Sequence, residues 1–233
     1  MPTASAAIFR PGDPGRKTAP LVQSGEGARG LPKGEATRER ILAIAESMVL
    51  SQGFGATSID AIIAEAGLTK SGFFYHFRDK TELARAMLRR YIATNDRLFD
   101  DLYARACEMG DDPLEVFLIW LKLLAGIMRD LPNGHPGCLI ASICYEERQF
   151  DAEVRAIAAE AVRSWNDRFE GYLRAVEAVH PLRPGLDLET LAKMVSCVVD
   201  GGIVMSKTLQ DPLELERQLL GYRSIIRLAF APN

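Results

Sequence analysis

The chain of 233 residues has room for one large domain or two small ones, and 48% hydrophobic with 25% charged residues is the mix of a globular protein with its own core. No eighteen-residue apolar run survives the interruptions at Lys122 and Asp200, and Arg10, Asp13, Arg16 and Lys17 come too early for a secretory leader. A cytosolic chain with no membrane span is therefore expected. The net charge of −3 hides an asymmetry: residues 1–95 carry 13 Lys/Arg against 9 Asp/Glu, while residues 96–233 carry 15 against 22. Such a split suggests an anionic partner held at the N-terminal end.

Residues 1–34 hold 5 of the 12 prolines and 6 of the 19 glycines, with no apolar period, and are expected to form a flexible arm. Gly25 to Gly30 fits the spacing G-x-G-x-x-G, but no strand precedes it and no helix opens from it, so dinucleotide binding is not inferred. Helical periodicity begins at Glu35. Ile41, Leu42, Ala45, Met48 and Val49 predict a first helix that stops at Gly53. A second starts at Thr57 or Ser58, with Asp60 in capping-box spacing from Thr57, carries Ile59, Ile62 and Ile63, and stops at Ala66-Gly67. Thr69 caps a short third helix that runs to about Phe77, and Asp79 with Glu82 opens a long fourth one. Asp112-Pro113 opens a fifth helix, which ends near Asp130. Beyond the breaker-rich loop 131–137, helices are expected over about 138–148, 151–179, 188–209 and 212–230. No segment reads as a strand, and the fold class is all-α.

Two short helices joined by Ala66-Gly67-Leu68 form a helix-turn-helix, with glycine permitting the reversal. Ile59, Ile62, Ile63, Leu68, Phe74 and Phe77 are expected to lock the pair onto the first helix. Lys70, Ser71, Phe73, Tyr75 and His76 are expected to face outward, where a cation, a hydroxyl, a phenol and an imidazole suit phosphates and base edges. A plain helical hairpin with an aromatic core is the alternative for this segment.

The run from Ala64 to Leu83, AEAGLTKSGFFYHFRDKTEL, resembles the DNA-binding signature of the TetR-family transcriptional regulators, densely so over residues 36–90. Residues 91–233 resemble the family only in being a helical body of similar length. The resemblance implies a three-helix DNA-binding head over 35–80 and a ligand-binding and dimerisation bundle over 81–233. It also implies a homodimeric repressor that leaves a palindromic operator when a small molecule binds. By position it implies Thr57 at a phosphate, Lys70, Ser71, Phe73 and His76 toward the major groove, and Tyr75 and Lys80 on phosphates. Phe73 departs from the pattern, since that place is commonly small or hydroxylated; the ring either meets a thymine methyl or packs inward.

The remaining candidates are effector groups. Phe117, Trp120, Met128, Cys138, Tyr145 and Trp165 either line an apolar pocket or belong to the core. Cys138 is either a thiol activated by a helix terminus or a small buried residue. Lysine and arginine are scarce in these segments, which favours an apolar, neutral or weakly cationic effector. The helix over 188–209 is apolar nearly all round, and with the last helix it is expected to form the dimer interface, Gly201 and Gly202 allowing close approach. His135 and Cys138 have no further ligands beside them, so neither metal nor cofactor is expected. A helical carrier or enzyme without DNA binding, or an adaptor whose head binds protein, are the alternatives. The enzyme would require a base paired with a nucleophile, and none is visible.

Overall fold

The computed structural model describes residues 32–230. The arm expected over 1–34 therefore lies almost wholly outside the described residues, as does the glycine match at 25–30. Lys33 and Gly34, assigned to that arm, are already helical.

Among the described residues the chain is all-helical, apart from an isolated bridge between Pro132 and Gly134. The order is α1 (Lys33–Gln52), α2 (Ile59–Ala66), α3 (Lys70–His76), α4 (Lys80–Cys107), α5 (Pro113–Arg129), α6 (Leu139–Tyr145), α7 (Ala152–Glu177), α8 (Leu188–Leu209) and α9 (Glu214–Ala229). A single 3-10 turn, Glu147–Gln149, follows α6, where one continuous helix over 138–148 was expected.

Most starts are set by short polar side chains that satisfy the first free N–H groups. Asp79 accepts from the Glu82 amide at 2.8 Å, while the Glu82 carboxylate reaches back to the Arg78 amide at 2.8 Å. Asp112, Asp151 and Asp187 cap α5, α7 and α8 in the same way. Thr69 caps α3 through the Gly72 amide at 3.1 Å. At α2 the cap is Ser58, which accepts from the Ala61 amide at 3.1 Å. Gly67 then ends α2 at φ 62°, the left-handed conformation that the tight reversal into α3 requires.

The head is a tri-helical unit. Ile41, Leu42, Ala45 and Val49 of α1 close over Ile62 and Ile63 of α2 and over Phe73 and Phe77. The body stacks α8 between α7 and α9, with α5 packed against α4, α7 and α9. One helix, α4, belongs to both parts. Its Arg90 bonds Glu39 at 3.0 Å and Glu46 at 2.6 Å on α1, and its Arg85 pairs with Asp151 and Glu153 at the start of α7. The head and body thus share one continuous core.

Candidate nucleic-acid interface

The outer face of α3 follows from which of its rings turn inward. Phe73 and Phe77 stand one helical turn apart, fully buried, with centroids 5.8 Å apart. Tyr75, 83% exposed, and His76 then project outward, their rings edge to face at 5.0 Å. Lys70 and Ser71 are also exposed, at the first turn. Lys70 reaches Asp60 of α2 at 3.0 Å with both side chains largely in solvent. A pair this exposed contributes at most about 1 kcal/mol, so the ammonium exchanges readily to an incoming phosphate. Ser71 shares a hydrogen bond with Thr69 at 3.1 Å. The helix-turn-helix therefore presents a cation, a hydroxyl, a phenol and an imidazole on one short surface, a set able to contact phosphate oxygens and base edges.

The geometry departs from the expectations for four residues of this face. Phe73, expected to face outward, is buried, whereas Phe74, expected in the core, is 49% exposed. Thr57 is buried: its hydroxyl donates to the Gly53 carbonyl at 2.8 Å and accepts from Gln52 at 3.3 Å, so it is committed within the turn before α2. The exposed hydroxyl there is Ser58. Lys80 is also engaged internally, donating to the Phe54 carbonyl at 2.6 Å with its ammonium 4.0 Å from the Phe54 ring centroid. Burial pulls that ammonium below its usual range, and the Glu146 carboxylate opposes the shift. The Thr57 hydroxyl is thus not free for a phosphate, and Lys80 is held against Phe54 by one of its three N–H groups.

The residues expected to line an effector pocket are not brought together as one. Phe117, Trp120 and Trp165 enter a packed aromatic cluster with Phe99, Phe169 and Tyr172. Trp120 stacks on Phe117 at 5.7 Å, and Phe99 meets Trp165 edge to face at 6.0 Å. Trp120 donates its indole N–H to the Phe99 carbonyl at 3.3 Å, and Trp165 donates to Asp96 at 3.0 Å. Met128 is buried in the core, and Tyr145 is 77% exposed, so it lines no interior site. Cys138 does cap α6, but its sulfur is buried beside Tyr91 and Asp200. Burial first, then the Asp200 carboxylate, pushes the thiol up to about 12. This is the reverse of an activated thiolate, because desolvation outweighs the helix terminus here.

Two open grooves are lined by other residues. One, of about 310 Å³, runs along α8 and is lined by Met194, Cys197, Val198, Gly201, Met205 and Gln218, among others. The second, of about 520 Å³, lies between α4 and α7 beside Ile92, Ala156, Ile157 and Ala161. Gly202 faces inward: a Cβ there would stand 2.6 Å from Leu215 Cδ1 and 3.2 Å from its Cα, so this glycine serves the α8–α9 contact within the chain. A Cβ on Gly201 meets nothing.

The sequence matches two family models in tandem. Residues 41–87 match that of the bacterial regulatory proteins of the tetR family, and residues 119–220 match a tetracyclin repressor-like C-terminal domain. Among curated proteins, the HTH-type transcriptional regulator TtgR of Pseudomonas putida is 28% identical over 186 residues, 77% of this chain and 84% of that protein. The uncharacterized HTH-type transcriptional regulator YxaF of Bacillus subtilis is 26% identical over 186 residues, 77% of this chain and 89% of its own. Among solved structures, a TetR-family transcriptional regulator from Agrobacterium tumefaciens superposes with a TM-score of 0.71 at 18% identity, covering 85% of this chain and all of that one. Another, from Cytophaga hutchinsonii, gives 0.70 at 17% identity, over 87% and 99%.

Proposed function

The chain belongs to the TetR family of bacterial transcriptional regulators, which are not enzymes, and from that premise we propose that it acts as a homodimeric, cytosolic repressor. Its two heads bind a palindromic operator, and a small molecule held by the body releases them. The observation that carries the DNA reading is the α3 surface: exposed Lys70, Ser71 and Tyr75, with half-buried His76 beside them, over a floor of buried Phe73 and Phe77. Lys70 and Tyr75 meet phosphates, and Ser71 and His76 meet base edges. Phe74 takes the part first given to Phe73, an apolar contact with a thymine methyl.

The dimer reading is supported by apolar side chains left in solvent on the last two helices: Val204 and Met205 on α8, and Leu220, Ile225 and Leu228 on α9. Apolar side chains exposed on two neighbouring helices are of the kind that a second copy covers. For the effector, the acidic body favours an apolar, neutral or weakly cationic molecule. The buried, unionised Cys138 speaks against an electrophile sensor.

The test is equilibrium binding to a duplex that the wild-type protein selects from a random library, measured across salt concentration. Wild-type affinity should fall steeply with salt. Lys70→Ala should weaken all duplexes alike and lower the salt slope by about one. Ser71→Ala and His76→Ala should change which bases are preferred. Salt-independent binding, or equal losses at every base position for all three variants, would contradict the assignment.

A further inference from the structure

The turn that leads from α1 into α2 is gripped by the body. Glu146, the residue that closes α6, accepts from the Phe54 amide through Oε1 at 2.7 Å and from the Gly55 amide through Oε2 at 2.8 Å. Gln149 donates to the same Oε2 at 2.9 Å, which steadies the carboxylate. The Phe54 ring lies 4.3 Å from that of Phe150, and Lys80 donates to the Phe54 carbonyl at 2.6 Å. The turn is shaped for this grip. A Cβ on Gly53 would stand 2.9 Å from Glu146 Oε1, and one on Gly55 would stand 2.5 Å from Gln149 Nε2 and 3.0 Å from Glu146 Oε2. Gly53 also has a φ of 84°.

The gripped residues run directly into α2. The Thr57 amide donates to the Phe54 carbonyl at 3.2 Å, the Thr57 hydroxyl donates to Gly53, and Ser58 is the cap. The carboxylate is therefore three residues from the helix-turn-helix and belongs to a short helix that packs against α1, α4 and α7.

We propose that Glu146 is a positioning residue for DNA binding: its grip on the Phe54 and Gly55 amides makes the end of α6 a point where the body fixes the orientation of α2 and α3. This rests on the reading of α3 as the DNA face. It adds a connection that does not run through the length of α4. Two amides bound by one ionised carboxylate hold direction as well as distance, because charge-assisted bonds of this kind are short and angular. Fixing the heads before they meet DNA removes an ordering cost from binding. A shift of α6 would release the turn while α4 remains intact.

The experiment uses the full chain and two independent ways of opening the grip. Glu146→Gln keeps the shape but loses the charge and one acceptor. Gly55→Ala pushes a methyl into Gln149 and Glu146 without altering either. Amide hydrogen exchange across residues 53–58 and affinity for the duplex selected by the wild-type protein are measured on each. Both variants should speed exchange in that segment at least tenfold, leave exchange in α5, α8 and α9 unchanged, and weaken duplex binding at least fivefold. Glu146→Ala should exceed Glu146→Gln in both. Exchange at the wild-type rate, a general rise throughout the chain, or duplex binding that is tighter or within twofold of wild type would overturn the proposal. If the wild-type protein selects no duplex, the DNA reading itself fails; if it selects one and the variants bind it equally, only the role of Glu146 fails.

Discussion

Phe73 fills the space beneath α3 while its neighbour Phe74 stands half in solvent, and helical phase decides between them. Phe73 pairs with Phe77 at i, i+4 over the buried face; Phe74 shares its side with exposed Lys70 at the same spacing. Two adjacent phenylalanines in a seven-residue helix leave that phase open in the sequence, and the expectation of Phe73 outward and Phe74 inward has the two exchanged. Phe73→Ala should cost about 3–5 kcal/mol of unfolding free energy, the usual loss for a buried ring, as read by urea denaturation. Phe74→Ala should leave that quantity within about 0.5 kcal/mol, typical of a surface position, and change operator preference instead. A stable Phe73→Ala protein would contradict the packing.

The burial of His135 was not legible in the sequence, because burial is a property of the fold, while that of Cys138 was one of its two readings. His135, whose Nδ1 accepts from the Gly137 amide at 3.2 Å, is pushed down to about 4 by burial and by Lys207. The unfolded chain then takes up the proton first, so stability is unaffected above the ordinary histidine range near 6.5 and falls as pH drops from there toward 4. The full loss is about 3 kcal/mol on the usual conversion of a pKa difference to free energy. Unfolding curves between pH 7 and 4 should show this decline in the wild type and a shallower one in His135→Gln; parallel curves would refute it. At Cys138 the raised thiol predicts slow alkylation in the native state, whereas exposed Cys107 and Cys144 should react promptly at pH 8.

At the scale of elements, the helices were readable because their caps and apolar periods agree, as with Asp79 and Glu82 before α4. Where two hydroxyls stood together at the start of α2, the pattern could not choose. Packing buried Thr57 and left the cap to Ser58. The glycine pair of α8 divides in a similar way. Gly202→Ala should lower the thermal midpoint, because its Cβ meets the Leu215 backbone 3.2 Å away, which cannot move aside as a side-chain tip can. Gly201→Ala should leave the fold intact, with any effect appearing in assembly. Leu228→Glu together with Ile225→Glu, both exposed on α9, should convert a dimer into a single chain of 25.7 kDa by sedimentation. A double variant that sediments as the wild type does would place the interface elsewhere.

For the molecule as a whole, the helical periodicity was legible in the sequence, but the charge split does not belong to the head: residues 35–80 carry 5 Lys/Arg against 6 Asp/Glu, and the excess of cations lies in residues 1–34 and 81–95. The effector site was not legible. An aromatic residue at helical spacing reads the same whether it lines a cavity or fills one, and here Phe117, Trp120 and Trp165 fill a close-packed cluster. Nor was the grip of Glu146 on the turn after α1 visible, since it joins residues 92 positions apart and leaves no local signature. The central claim is that two α3 helices, related by a twofold axis, read DNA together. Selection of duplexes from a random library by the full-length wild-type protein tests it most directly. An enriched inverted repeat with half-sites one or more helical turns apart, bound by two chains, is expected. No enriched sequence, or a single half-site bound as tightly as the repeat, would contradict it.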